Sequence, residues 1–128
     1  MRMNTALRKL ASLHLALSCG TAMAGLAGCH RDTANASTPD LAARIESAGD
    51  DERRDIIRAL TGRGEVAIPE ILQAFQATDK PATQMVLADS VARMRRSDKK
   101  IEALKKMQEL AKDANVGRTI GAYVNDPR

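Results

Sequence analysis

The chain has 128 residues, of which 44% are hydrophobic, with one Phe, one Tyr, no Trp and a formal net charge of +4. This length is enough for one domain. Three of the basic residues lie before residue 10, and without the first 28 residues 17 Lys and Arg stand against 16 Asp and Glu. The remainder is close to neutral and has no aromatic cluster among its basic residues, so we expect no nucleic-acid partner.

Residues 1–28 differ in character from the rest of the chain. Residues 1–9 contain Arg2, Arg8 and Lys9 without an acid, and residues 10–28 carry no charge. A basic start followed by an apolar stretch rich in small residues is typical of a secretory signal. The alternative is a transmembrane helix, because 19 uncharged residues approach the length that spans a bilayer. His14 and the Ser, Thr and Gly residues in the stretch disfavour that alternative.

Residues 26–29 end the uncharged stretch with a recognisable motif. They read Leu26-Ala27-Gly28-Cys29 and resemble the lipobox of the bacterial lipoprotein signal peptidase. The resemblance implies recognition through Leu26, Ala27 and Gly28, cleavage before Cys29, a diacylglyceryl group on the thiol and acylation of the new amine. Each buried methylene contributes about 0.8 kcal/mol, so two or three acyl chains hold a protein at a membrane for long times. His30, rather than Asp, then favours the outer over the inner membrane.

Cleavage before Cys29 would leave little material for catalysis. Cys29 would be the only cysteine, already lipidated, and His30 the only histidine. The usual nucleophile and base pairs and the usual zinc ligand sets are therefore missing from the expected mature chain. We expect no enzyme, no metal and no cofactor.

Two short motifs in the following segment have structural explanations. The acidic cluster Asp50, Asp51, Glu52 and Asp55 lacks the spacing of a calcium loop, and acids are favoured at a helix start. The Gly62-Arg63-Gly64 sequence follows no strand, which favours a helix stop over a phosphate-binding loop.

Beyond the lipobox, the pattern predicts an acylated cysteine and flexible tether over 29–39, a helical domain over 40–124 and a tail over 125–128. Apolar residues recur at helical spacing, and runs with period two are rare. We expect helices at about 40–48 with a left-handed cap at Gly49 and at 51–61 with a stop at Gly62. Further helices are expected from about 67, from 79–81 and after Ser97, with a short one at 116–124. Their apolar stripes are Leu41, Ile45, Ala48; Ile56, Ile57, Leu60; Ile68, Ile71, Leu72, Phe75; Leu87, Val91, Met94; and Ile101, Leu104, Met107.

A shift of 31 residues places Leu41 on Leu72 and Ile56 on Leu87, which indicates two weak copies of a repeat. The stretch from Gly64 to Met94, with Pro69 at a helix start, resembles short HEAT-like repeats. This implies an all-α fold, a short stack of antiparallel helical hairpins, and binding of another protein through its surface. The Val-Arg pair that usually opens the second helix is replaced by Ala82 and Thr83. An irregular helical bundle is the alternative.

The second half of the chain carries an excess of basic residues. Residues 31–79 have six basic and ten acidic residues, whereas residues 80–128 have eleven and six. We define the basic patch as Arg93, Arg95, Arg96, Lys99, Lys100, Lys105 and Lys106. A solvated surface is one explanation of the patch, and contact with anionic glycans or lipids is another.

The sequence supports two functional hypotheses for a lipid-anchored protein on the periplasmic side of the cell envelope. The first is a non-catalytic protein-binding module, of which an inhibitor or immunity lipoprotein is one form. The second is a structural lipoprotein that contacts anionic envelope components through the basic patch.

Overall fold

The computed structural model describes residues 33–126, and that part of the chain contains no strand. Between Thr38 and Asn125 it forms six α-helices and one 3₁₀ turn. They are α1 (Thr38–Ile45), α2 (Asp50–Arg63), the 3₁₀ turn (Gly64–Ala67), α3 (Ile68–Ala77), α4 (Pro81–Ala92), α5 (Asp98–Leu110) and α6 (Ala114–Asn125). The all-α prediction is confirmed for this region.

The helices form three hairpins that stack in two layers. Each helix packs on its successor within a hairpin, as α1 does on α2, α3 on α4 and α5 on α6. In addition, α3 packs on both α1 and α5, and α4 packs on both α2 and α6. One layer is therefore α1, α3 and α5, and the other is α2, α4 and α6. The short connections make neighbouring helices antiparallel, so the described region is the expected short stack of helical hairpins.

Every helix contributes a pair of buried apolar residues four positions apart. Such residues lie on the same face of a helix, which here faces the space between the layers. The pairs are Leu41 and Ile45, Ile56 and Leu60, Ile71 and Phe75, Leu87 and Val91, Ala103 and Met107, and Val116 and Ile120. Most of the predicted stripes are confirmed, but Ile57, Leu72 and Ile101 are only half-buried.

The shift of 31 residues relates the second helices of the first two hairpins but not the first helices. Ile56 of α2 and Leu87 of α4 are both fully buried, as the shift predicts. Leu41, however, corresponds in burial to Ile71 and not to Leu72. The cause is local, since α3 continues for two residues beyond its buried Phe75 and α1 ends at its buried Ile45, while the following connection is one residue shorter.

The folded region begins earlier than predicted. Ser37 caps α1 by accepting a hydrogen bond from the Asp40 backbone N–H at 3.2 Å, and Thr38 is 1% exposed. Arg63 of α2 donates to Thr38 Oγ1 at 3.0 Å and also to the carbonyl of Ala36. The placement of residues 36–39 in a flexible tether was therefore wrong, because Arg63 supplies the polar contacts that this segment needs when it packs.

The glycine caps of the first hairpin also differ from the prediction. Gly49 has extended backbone (φ −75°) and precedes the first turn of α2, and Gly62 lies inside that helix. The left-handed residue is Gly64, with φ 71°, whose N–H donates to the Thr61 carbonyl and ends α2. Left-handed backbone favours glycine because it has no Cβ, so α2 runs two residues further than predicted.

Helix α6 is longer than the short element predicted at 116–124. Asp113 caps it by accepting from the backbone N–H groups of Asn115 and Val116, at 2.9 and 3.1 Å. Val116 and Ile120 are buried against the rest of the stack. The two glycines, Gly117 and Gly121, lower the intrinsic helix preference, but burial of this apolar pair and the N-cap compensate.

Candidate functional site

The residues predicted to direct lipidation, Leu26, Ala27, Gly28 and Cys29, lie outside the described residues. The predicted basic patch lies within them and can be followed residue by residue. None of the helices within residues 33–126 has both the length and the apolar character needed to cross a membrane.

Lys100 of the basic patch is a structural residue. It is 5% exposed, and its Nζ donates to the Met94 carbonyl at 3.0 Å, just beyond the end of α4. Burial lowers the pKa of Lys100, and nearby Arg96 lowers it further, whereas Asp126 raises it. Its inclusion in an accessible patch was therefore wrong, because the ammonium group satisfies a carbonyl between α4 and α5.

The other members of the patch do not form one surface. Arg93, at the end of α4, lines a groove with residues of α2. Lys99 and Lys106 line a different groove, of about 450 Å³, between α3 and α5. Since α4 and α5 belong to different layers of the stack, the linear cluster is divided between two faces. Arg95, Arg96 and Lys105 are exposed.

A polar cluster joins the end of α4 to α6. Asp89 accepts from Arg93 Nε at 3.1 Å, and its carboxylate lines the same cavity as the Tyr123 hydroxyl. Together with Lys100 and Asp126 these side chains line a cavity of about 440 Å³. Burial and the Asp89 carboxylate raise the pKa of Tyr123, and Arg93 opposes that effect. The cluster joins the last helix to the stack through four charged side chains and one hydroxyl.

The acidic cluster occupies the first turns of α2, as expected from helix electrostatics. Asp51 and Asp55 form ion pairs with Arg54 and Arg58, at 3.5 and 3.4 Å. Within residues 33–126, no three His, Cys, Asp or Glu side chains come together in an arrangement that could hold a metal ion.

The groove between α2 and α4 is the feature that sequence reasoning missed. Its volume is about 540 Å³, and its lining consists of Arg54, Ile57, Arg58, Thr61, Gly62 and Arg93. Thr61 Oγ1 donates to the Ser90 carbonyl at 3.0 Å, which holds the two helices together beside the groove. The signal was present, because the α2 residues recur at i, i+3, i+4, i+7 and i+8. It was hidden because Arg54 and Arg58 lie among acids in the sequence.

Comparison with known proteins identified no relative of this chain. No protein-family model, no curated protein and no solved structure matches the chain.

Proposed function

We propose that the chain is a bacterial lipoprotein, anchored to a membrane of the cell envelope by lipid on Cys29, whose helical domain binds another protein without catalysing a reaction. The anchor is supported by the order of the basic start, the uncharged stretch and the Leu26-Ala27-Gly28-Cys29 motif. The outer membrane is favoured over the inner one, and an inhibitor or immunity protein is one form of this function.

One observation carries the binding part of the proposal: a helical stack with a groove lined by three arginines and an apolar side chain. Such a surface can supply both the charged contacts and the apolar area on which protein recognition depends. Among residues 33–126, the side chains with displaced pKa values are Lys100 and Tyr123, and both lie in contacts between helices of the stack. These roles favour a binding module over an active site.

The alternative, a structural lipoprotein that contacts anionic glycans or lipids through the basic patch, is weakened by the division of that patch. Lys100 is buried, and Arg93 lies on the other layer from Lys99 and Lys106. A flat anionic surface would meet only part of the set at a time.

The anchor is tested by the mass of the protein purified from bacterial membranes. We expect loss of residues 1–28 and a mass increase at Cys29 that corresponds to acyl chains, and we expect Cys29→Ser to leave the membrane fraction. An unmodified Cys29 in the purified protein would refute the anchor.

The binding function is tested by crosslinking the tagged chain in intact cells of the source bacterium, followed by affinity purification. We expect one protein to be enriched over a control lipoprotein that carries the same signal and tag. Enrichment of lipid or glycan alone would favour the structural alternative.

A further inference from the structure

Helix α2 has a second ordered face beside its core face. The core face carries Ile56 and Leu60, both fully buried. The second face carries Arg54, Ile57, Arg58, Thr61 and Gly62, which span about 12 Å along the helix at 1.5 Å per residue. Helix α4 reaches this face at its end, where Arg93 completes the groove. The groove therefore runs along about two turns of α2.

The charged side chains that line the groove are all of one sign, although each has an aspartate partner outside the lining. Its lining contains three arginines and no carboxylate. Each guanidinium is held by an aspartate about one turn earlier, since Asp51, Asp55 and Asp89 lie at 3.5, 3.4 and 3.1 Å from Arg54, Arg58 and Arg93. The arginine side chains are nevertheless 64–79% exposed. Because a guanidinium has five N–H donors, an aspartate on one side fixes its position and leaves donors for a carboxylate on the other.

The floor of the groove is shaped to admit an apolar side chain. Ile57 is half-buried there, and Thr61 lies in the lining one turn further along α2. A Cβ built on Gly62 would meet nothing within 4 Å. Glycine inside a helix costs conformational entropy, and at this position no packing contact inside the protein requires it. Its effect is to leave the helix backbone open to the groove.

We propose that this groove binds an acidic, amphipathic segment of a partner protein, with carboxylates on Arg54, Arg58 and Arg93 and an apolar side chain over Ile57 and Gly62. The inference rests on the proposed protein-binding function and names the chemistry of the partner. Arg54 and Arg58 are one helical turn apart, which matches carboxylates at i and i+4 on a partner helix. A protein segment fits better than a lipid surface, because a concave groove between two helices excludes a flat layer of head groups.

The test measures fluorescence anisotropy of a fluorescein-labelled helical peptide with glutamates at i and i+4 and a leucine between them, titrated with the full chain in mild detergent. The groove variant is Arg54→Gln, Arg58→Gln, Arg93→Gln. The matched control is Arg95→Gln, Lys99→Gln, Lys105→Gln, which removes the same charge elsewhere. Gly62→Leu fills the groove without changing charge and improves helix preference. Circular dichroism checks that each variant is folded.

We expect the groove variant to weaken peptide binding by about 100-fold, at about tenfold for each of the two glutamates that lose their guanidinium partners. Gly62→Leu should weaken it by about tenfold through steric exclusion, and the control should change it by less than about threefold. An equal loss in both triple variants would mean non-specific charge attraction, and unchanged binding in Gly62→Leu would remove the groove as the site. Either result overturns the proposal, as would arginine-dependent binding of phosphatidylglycerol vesicles without binding of the peptide.

The groove and the proposed function can fail separately. If the groove variant still captures the same envelope protein as the unaltered chain, the groove assignment is wrong and the binding function stands. If the unaltered chain captures no protein, the proposed function fails whatever the peptide does.

Discussion

At two of the connections between helices, a buried polar side chain donates to backbone carbonyls. One of these side chains is neutral and the other is charged. Between α3 and α4, the fully buried amide of Gln84 donates to the carbonyls of Phe75 and Thr78, at 3.4 and 3.3 Å. Between α4 and α5, the ammonium of Lys100 donates to the Met94 carbonyl at 3.0 Å. Both satisfy carbonyls at a helix end, which have no partner within the helix. The contacts of Gln84 do not titrate, whereas Lys100 belongs to a titratable cluster.

The two connections also differ in how completely their polar groups are satisfied. Within residues 33–126, Gln84 Oε1 is buried and accepts no hydrogen bond, so the amide is used only as a donor. Lys100 has three N–H donors and lies within the field of Asp126 and Arg96. The comparison shows that carbonyls at a helix end can be satisfied by a neutral donor in an apolar site or by a cation beside other charges. We expect the stability of the protein to respond differently to mutation at the two connections.

The largest expected effect follows from placing a charge at the neutral connection. In Gln84→Glu a carboxylate would face the carbonyls of Phe75 and Thr78 in a buried site, so we expect a loss of about 3–5 kcal/mol in the free energy of unfolding at pH 7. Gln84→Met, of similar size, should lose only about 1 kcal/mol, partly because Lys112 Nζ still donates to the Thr78 carbonyl at 3.3 Å. Urea denaturation measures both.

The same pair of variants has a signed pH dependence. In Gln84→Glu, burial would raise the pKa of the introduced carboxyl in the folded protein above about 4.3, the value for an unfolded chain. Its neutral form then contributes stability below about pH 4.3, and this is lost as the pH rises through the raised folded value. The difference between Gln84→Glu and Gln84→Met should therefore be larger at pH 7 than at about pH 4.5. Equal stabilities at pH 7 would mean that water reaches this site.

At the charged connection we expect Lys100→Met to lose about 1–2 kcal/mol at pH 7, because the Met94 carbonyl loses its buried donor. The exposed neighbour variant Lys99→Met is the control and should stay within about 0.5 kcal/mol. The pKa of Lys100 is lowered in the folded state, so between that value and about 10.4 the unfolded chain binds more protons. The advantage of the unaltered protein over Lys100→Met should thus grow with pH in this alkaline window. A constant difference would contradict the burial of the ammonium.

The polar cluster beside Lys100 can be observed directly, because Tyr123 is the only tyrosine and the chain has no tryptophan. Its ultraviolet absorbance titration should give a pKa above the ordinary value of about 10, since burial and Asp89 both raise it. Asp89→Asn should lower this pKa, while Asp98→Asn, on the exposed first turn of α5, should not. Tyr123→Phe should change the free energy of unfolding by less than about 1 kcal/mol, because it removes only the polar interaction of the hydroxyl with Asp89. A pKa of about 10 in the unaltered protein would mean that Tyr123 is neither buried nor affected by Asp89.

Much of the fold was predictable because it depends on local patterns. Pro69 and Pro81 lie in the first turns of α3 and α4, and Ser97 caps α5 by accepting from the Lys100 backbone N–H at 3.1 Å. These signals require only neighbours in the sequence. Ala103 was missed as a core residue because alanine carries little hydrophobic signal, yet it is buried where α5 faces α3.

The site was less predictable because charge along the chain does not map onto faces of the stack. Arg93 and Lys99 are six residues apart, but the turn between α4 and α5 sends them to different layers. Conversely, Arg93 joins Arg54 and Arg58 from the acidic half of the chain in one groove. Packing between helices that are distant in the sequence determines both the separation of Arg93 from Lys99 and its grouping with Arg54 and Arg58. A short stretch of sequence carries no information on such packing. The burial of Lys100 was unpredictable for the same reason. Its position in the sequence fits a surface lysine, and it is buried only because its ammonium donates to the Met94 carbonyl beyond the end of α4.

In the last hairpin, the connection between α5 and α6 relies on the Asp113 cap and apolar packing and not on a buried polar donor. We expect the smallest change in the free energy of unfolding here, and it is a gain and not a loss. Gly117 has ordinary helical backbone, and a Cβ there would lie 3.8 Å from Ala111 Cβ, a normal contact. We expect Gly117→Ala to raise the free energy of unfolding by about 0.5–1 kcal/mol through better helix preference. Gly64→Ala is the matched control and should destabilise by about 1 kcal/mol, because its φ of 71° is strained for any residue with a Cβ. Destabilisation by Gly117→Ala would show that α6 approaches α5 more closely than this geometry allows, and that glycine is required there for packing.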